Sequence, residues 1–175
     1  TPTRLTFEPG VDRNPLWSSD GQRILFQSDR DGSQDIYSKA ADGTGQAERV
    51  TTNDMPVYPS DLTSDDKSLA VWVVRGSADI EVYAHNPDGL SEQVQASIRT
   101  DFIEAFADVS PDGQWVTYTS NESGQFEVYV RPFPNVDDGR WQISRNGGQV
   151  SVWSHDGQEL FFRDFRNNQM MVVDI

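Results

Sequence analysis

The chain has 175 residues and carries 14 lysine and arginine residues against 28 aspartate and glutamate residues, a formal net charge of −14 at pH 7. Such a surface repels phosphate backbones and anionic membranes, which disfavours nucleic-acid binding. The absence of cysteine excludes disulfides, thiol catalysis and cysteine-ligated zinc, and the apolar runs are too short for direct membrane insertion.

The first elements along the chain are short strands. Residues 2–8 contain the strand-like stretch TRLTF, and residues 11–54 follow with WSSDGQRILF, DIYSKA and ERVTT. Apolar and polar residues alternate in these stretches, which is the periodicity of a half-buried strand. WSSDGQRILF predicts two strands joined by a turn at Asp20-Gly21, because Asp-Gly supplies the positive φ of a tight hairpin. Residues 11–54 therefore predict one unit of four strands.

The same unit recurs three more times along the chain. Anchor aspartates 45, 47 and 44 residues apart mark the four copies: Asp20, Asp65, Asp112 and Asp156. A period of this length with strand-like content is typical of β-propeller blades. The sequence thus predicts an all-β fold, a single β-propeller domain of four-stranded antiparallel blades. The four predicted blades span about residues 11–54, 55–101, 102–146 and 147–175.

The two ends of the chain suggest how the blades are completed. The last unit stops at its third strand, MMVVDI, while residues 2–8 match the fourth strand of a unit. Pairing the two would satisfy both sheet edges and close a four-bladed ring. The alternative is that the four units are consecutive blades of a larger propeller.

The repeated Asp-Gly pairs have a structural interpretation. An aspartate in such a turn accepts backbone N–H bonds while glycine takes the left-handed conformation. The predicted structural turn residues are Asp20, Gly21, Asp112, Gly113, Asp156 and Gly157. The second unit has Asp66-Lys67 where the others have Gly-Gln, which predicts a looser hairpin.

The stretch SDRDGSQD offers a weak candidate calcium site. Asp29, Asp31 and Asp35 surround a glycine, and carboxylate oxygens suit Ca²⁺. The spacing fails the EF-hand pattern, and the corresponding stretches of the other units indicate an ordinary hairpin. The main expectation is therefore that no metal and no cofactor is bound.

Residues that break the repeat are the better candidates for recognition. Aromatic and arginine side chains are enriched at binding hot spots, and several lie outside the repeated positions, in or near the connections between units. They form a predicted binding rim at one end of the propeller: Arg13, Tyr58, Arg75, Phe102, Phe106 and Arg145. Ordinary loop packing is the alternative for all six.

Motifs for catalysis are missing from the sequence. Its two histidines, His85 and His155, lie at a strand end and in a turn, and neither a Gly-x-Ser-x-Gly elbow nor a His-Glu-x-x-His motif is present. The sequence therefore predicts a protein that is not an enzyme.

Three stretches carry a resemblance to a known family: LWSSDGQRILFQSDRDGSQDIY, VSPDGQWVTYTSNESGQFEVYV and WSHDGQELFF. With them the whole chain resembles the TolB-like, WD-repeat-like β-propellers. EVYVRPFPNVDDGRWQISRNGG further resembles the propeller region of bacterial serine/threonine-kinase-like proteins, although no kinase signature is present.

The resemblance implies a non-catalytic scaffold for protein–protein interaction or extracytoplasmic ligand sensing. Its partner would be a protein or a small ligand, and its location periplasmic or otherwise extracytoplasmic. One alternative is a gating or substrate-selecting propeller of a larger enzyme, such as a prolyl-oligopeptidase-like peptidase. Another is a small carbohydrate-binding propeller, which predicts aromatic side chains in exposed pockets.

Overall fold

The regular elements of the protein are all β-strands. The structure is a computed structural model that describes residues 2–52, 54–86 and 89–175. Fifteen strands are assigned in it, and they form four sheets in which neighbouring strands are antiparallel and follow chain order. Within the described residues, no helix has the length and apolarity to cross a membrane.

Each sheet corresponds to one blade. The first contains β1 (Asp12–Trp17), β2 (Arg23–Ser28), β3 (Asp35–Ala40) and β4 (Glu48–Arg49). The second contains β5 (Val57–Leu62), β6 (Ser68–Val74), β7 (Ala78–Asn86) and β8 (Gly89–Ile98). The third contains β9 (Glu104–Val109), β10 (Trp115–Ser120), β11 (Glu127–Pro132) and β12 (Trp141–Gln142). The fourth contains β13 (Gln149–Trp153), β14 (Glu159–Asp164) and β15 (Gln169–Asp174). The predicted all-β fold with propeller blades is confirmed.

Successive blades pack face to face through three apolar clusters, each shared by two neighbouring sheets. In β6, Leu69, Val71 and Val73 join the cluster between the first and second sheets, whereas Ala70 joins the cluster between the second and third. The alternation follows from the pleat of a strand, which sends successive side chains to opposite faces. Because both faces of an inner blade are covered, β6 reads as a nearly continuous apolar run.

The fourth sheet has three strands, and residues 2–11 form no strand. The expected completion of the last blade by residues 2–8 is therefore not formed. Contacts hold this segment against its own first sheet: the Glu8 carboxylate lies 3.4 Å from the Arg30 guanidinium, and the Val11 N–H donates to Asp29 at 2.7 Å. Held there, the segment does not pair with β15.

The two end sheets each present an uncovered apolar face. Trp17 at the end of β1 is 61% exposed, whereas the residues at the same repeat position in the other blades are buried: Leu62, Val109 and Trp153. At the other end Met170 and Val172 of β15 are exposed. Among the described residues the inner strands contact one another in chain order, with no comparable contact between the first and fourth sheets. The four blades thus form an arc whose two ends do not meet.

The first hairpin of the second blade is as well bonded as its equivalents. The Thr63 N–H donates to the Ser68 carbonyl at 2.9 Å, and the Asp66 N–H donates to the Thr63 carbonyl at 2.8 Å. Asp66 itself takes the left-handed φ of 57° that glycine takes elsewhere. The prediction of a looser hairpin is therefore wrong, because aspartate tolerates this conformation better than most residues.

Candidate functional site: the central cavity

The inner strand of every blade is irregular at the same point. Register shifts in all four pairings interrupt the ladder between the first two strands. Asn14, Phe106 and Val150 have φ of 50°, 56° and 54° there, and Pro59 takes the same place in the second blade. A left-handed conformation is unfavourable for Phe and especially for β-branched Val, and costs on the order of 1–3 kcal/mol. Such bulges re-aim side chains and are common beside functional sites.

These bulges surround a cavity of about 240 Å³ at the centre of the arc. The inner strands of all four blades and one residue of β6 line it: Asn14, Pro15, Leu16, Pro59, Ser60, Trp72, Phe106, Ala107, Asp108, Val150, Ser151 and Val152. Most of these side chains are apolar. The hydroxyl of Ser60 is buried and has no hydrogen-bond partner. The lining of the cavity is therefore mostly apolar.

Three aromatic rings from two blades stack beside this cavity. Tyr58 lies on Trp72 with ring centroids 4.1 Å apart and planes at 16°, and Trp72 contacts Phe106 at 5.8 Å. The Tyr58 hydroxyl donates to Gln34 at 2.7 Å, which fixes the outer end of the stack. Phe106 remains 39% exposed. An ordered aromatic stack with an accessible ring is a surface on which a partner side chain can pack.

Two half-buried carboxylates link neighbouring blades next to the cavity. Asp61 accepts a hydrogen bond from the Val109 N–H at 3.0 Å, and Asp108 accepts one from the Trp153 N–H at 2.8 Å. Each aspartate thus links its own inner strand to the inner strand of the next blade. Burial raises the pKa of both carboxyls, and the Asp61 carboxylate raises that of Asp108 further, to about 7.

The structure brings together two members of the predicted rim. Tyr58 and Phe106 belong to the same aromatic stack, whereas Phe102 lines a separate cavity on the third blade. Arg75 lies 2.8 Å from the buried Glu81 carboxylate. Arg13 and Arg145 are exposed and lie on the first blade and after the third. Arg75 is therefore held by an ion pair, and the compact part of the rim is aromatic.

Trp72 is the member of the site that sequence reasoning missed. It lies on β6, the second strand of its blade. The equivalent positions of the other blades are polar: Gln27, Thr119 and Arg163. A comparison of the four copies position by position would have marked Trp72 as an exception.

The Asp-Gly turns have the geometry expected of structural turns. Asp112 accepts hydrogen bonds from the Gln114 N–H at 3.1 Å and the Ser110 hydroxyl at 2.6 Å, and Gly113 has φ of 69°. Asp20 with Gly21 and Asp156 with Gly157 repeat this arrangement. The serine hydroxyl, followed by the backbone N–H, lowers the pKa of all three aspartates. The serine hydroxyl is a donor that the Asp-Gly pattern alone does not predict.

The three weak candidate calcium ligands accept hydrogen bonds from different donors. Asp29 accepts from the Val11 N–H at 2.7 Å, Asp31 from the Tyr37 hydroxyl at 2.6 Å, and the buried Asp35 from the Thr51 hydroxyl at 2.9 Å. In the part of the chain that the structure describes, no group of three or more His, Asp or Glu side chains is placed to hold a metal ion. The three carboxylates bind the fold together and do not gather around one point.

Fold and cavity together define a β-propeller whose inner strands line a central cavity with aromatic rings at its edge. Residues 1–102 match the family model described as the TolB beta propeller domain. This match covers more than half of the chain, so the chain belongs to the TolB β-propeller family.

Two curated relatives show partial matches. An uncharacterized protein of Agrobacterium fabrum is 33% identical over 136 residues, which is 75% of this chain and 44% of that protein. The Tol-Pal system protein TolB of Bordetella pertussis is 45% identical over 40 residues, 23% of this chain and 9% of TolB. The chain therefore spans less than half of either relative.

Solved structures share the fold at low sequence identity. TolB from Acinetobacter baumannii superposes with a TM-score of 0.69 at 18% identity, covering 94% of this chain and 44% of that one. Oligogalacturonate lyase from Vibrio parahaemolyticus gives a TM-score of 0.64 at 14% identity, covering 92% of this chain and 49% of the lyase. The same architecture thus serves both TolB and an enzyme, and function has to be argued from the site.

Proposed function

We propose that this protein is a non-catalytic scaffold that binds an extended segment of a partner protein at the central cavity. The observation that carries the proposal is the stack of Tyr58, Trp72 and Phe106 beside a cavity built from all four inner strands. Membership of the TolB β-propeller family supports it, since a relative is a component of the Tol-Pal system.

The dimensions of the cavity favour a single inserted side chain. Small-molecule sites usually measure about 300–1,000 Å³, and the central cavity of about 240 Å³ lies below that range. Its lining of Leu16, Val150 and Val152 favours an apolar group. The net charge of −14 favours a partner segment that is basic around that group, because opposite charges accelerate association.

In this proposal the carboxyl groups beside the cavity hold neighbouring blades together. Asp61 and Asp108 each accept a backbone N–H from the next blade. Hydrogen bonds of this kind hold the inner strands in place around a ligand. The non-catalytic assignment rests on this use of the carboxyl groups together with the TolB family.

The proposal can be tested by selecting peptides from a random library on the immobilised chain and measuring their affinity by calorimetry. We expect the selected peptides to be basic with an apolar residue, and Phe106→Ala to weaken their binding at least about 30-fold, as loss of a hot-spot aromatic does. Phe165→Ala is the matched control, because Phe165 is also an exposed phenylalanine but does not line the cavity. Equal affinity for both variants would contradict the proposed site.

A narrower version of the proposal is an extracytoplasmic sensor attached to a kinase-like protein. The likeness of residues 127–148 to such propellers supports it. A kinase domain and a membrane-spanning helix encoded in the same reading frame would favour this version. A Gly-x-Ser-x-Gly hydrolase domain in that reading frame would instead favour the gating propeller of a peptidase.

A further inference from the structure

A second cavity, of about 450 Å³, lies on the third blade, away from the central cavity. It is lined by Phe102, Glu122, Ser123, Tyr129, Arg140 and Gln142. This set is mixed in chemistry, with aromatic rings, hydroxyls, an amide and both signs of charge. The volume falls within the range of about 300–1,000 Å³ that is typical of small-molecule sites.

One wall of this cavity contains a carboxylate oxygen that lacks a partner. Glu122 Oε2 accepts a hydrogen bond from Arg140 at 2.5 Å, but Glu122 Oε1 is buried and has no hydrogen-bond partner. Leaving a buried acceptor unsatisfied costs on the order of 1–3 kcal/mol, and more when it is charged. A rotation of the Glu122 carboxylate would turn this oxygen towards the cavity that the residue lines, where a ligand hydroxyl donating to it would remove this cost.

In the first blade, an arginine side chain occupies the position that corresponds to this cavity. Arg30 occupies the repeat position of Glu122, and its guanidinium lies over the ring of Tyr37 at 4.7 Å. Tyr37 corresponds to Tyr129 in the repeat. In the third blade the arginine near this ring is Arg140, whose guanidinium lies 5.8 Å from the centre of the Tyr129 ring. Because Glu122 replaces the longer Arg30 side chain at this position, the space beside Tyr129 stays open.

Aromatic and polar groups in the cavity suit a sugar ring. Phe102 is 42% exposed and offers an apolar face to the C–H groups of a pyranose. Glu122 offers an acceptor, while Arg140, Ser123 and Gln142 offer hydrogen-bonding groups for hydroxyls. The charges of Glu122 and Arg140 cancel, and the net charge of −14 repels an acidic sugar.

We propose that this cavity binds a neutral pyranose, as a monosaccharide or a disaccharide, between Phe102 and the Glu122–Arg140 ion pair. This site is separate from the central cavity and does not depend on the function proposed for it.

The test is to measure binding by saturation-transfer NMR and calorimetry while sugars are titrated into the protein. The neutral sugars are glucose, galactose, mannose, N-acetylglucosamine, maltose and cellobiose. Galacturonate is included as the acidic sugar. We expect at least one neutral sugar to bind, Phe102→Ala to weaken it at least about tenfold, and Phe165→Ala to leave it unchanged. Glu122→Gln should also weaken binding, because an amide does not replace the charge-assisted acceptor.

Three results would overturn the proposal. The first is an absence of binding by every neutral sugar at tens of millimolar, and the second is binding of galacturonate alone. The third is a neutral sugar whose affinity is the same for the wild type and for Phe102→Ala. Phe102 is exposed, so its variant is expected to fold, and thermal unfolding of each variant verifies this. The test therefore remains decisive even if Glu122→Gln does not fold.

Discussion

Two aspartates at the junctions between blades have burial and hydrogen bonds that the local sequence does not predict. Asp61 and Asp108 look like ordinary polar positions of alternating strands, yet both are half-buried and accept hydrogen bonds from backbone N–H groups of the next blade. A carboxylate in such a place satisfies a donor of the neighbouring sheet. Its cost is the desolvation of a charge, which makes the junction sensitive to pH.

Asp108 should therefore make the protein less stable as the pH rises. Its pKa is about 7 in the folded chain against an ordinary 3.8, so between these values the folded state holds a proton that the unfolded state has lost. Unfolding then releases a proton, and the free energy of unfolding falls from about pH 4 to about pH 7. Asp108→Asn keeps an acceptor for the Trp153 N–H and removes this titration. Urea unfolding at several pH values should show a flatter pH dependence for the variant; an unchanged slope would contradict the buried titration.

Strand pairing within each blade follows the sequence repeat closely, whereas the N-terminal segment does not form the strand that the repeat predicts. Within each blade the first hairpin closes around an Asp-containing turn, because aspartate or glycine accepts the left-handed φ that the turn requires. The N-terminal segment has the strand-like pattern of TRLTF, but a pattern alone does not supply a partner strand. Contacts with Arg30 and Asp29 keep this segment beside the first sheet.

Deletion of residues 1–8 is accordingly expected to have a small effect. Residues 2–8 form no ladder, and an ion pair such as Glu8–Arg30, with an exposed carboxylate, contributes little to stability. The melting temperature and the monomer fraction of the truncated chain should stay close to those of the full chain. A collapse of the melting temperature would instead indicate that residues 2–8 complete the fourth blade in solution.

For the molecule as a whole, the arc of four blades leaves apolar faces at both ends. The exposure of Trp17 is unlike that of its repeat equivalents, all of which pack on the preceding blade. Exposed contiguous apolar surface promotes association in water. The open edge of β15 adds unpaired backbone groups to the same end of the arc as Met170 and Val172.

The 175-residue chain on its own is therefore expected to self-associate as its concentration rises. Trp17→Ser removes the largest exposed ring of the first face and should shift the equilibrium towards monomer, whereas Trp141→Ser, which changes an exposed tryptophan of the third sheet, should not. Sedimentation equilibrium over a range of concentrations measures both. An ideal monomer at the highest concentration would contradict this expectation.

Local sequence pattern is enough to predict the blades and their turns. Strand periodicity and Asp-Gly chemistry act within about ten residues of chain, so both are readable from local pattern. The aromatic candidates Tyr58 and Phe106 were also found this way, as exceptions to the repeat.

Which of the residues that break the repeat contact one another depends on the packing of the blades. Trp72 contacts Phe106, and Asp108 accepts a hydrogen bond from the Trp153 N–H, each through packing between strands distant in sequence. These contacts depend on the bulge that re-aims each inner strand and on the face that each pleat presents. A shift of one residue in strand register would turn every one of these side chains to the opposite face, which is why sequence spacing alone does not place them.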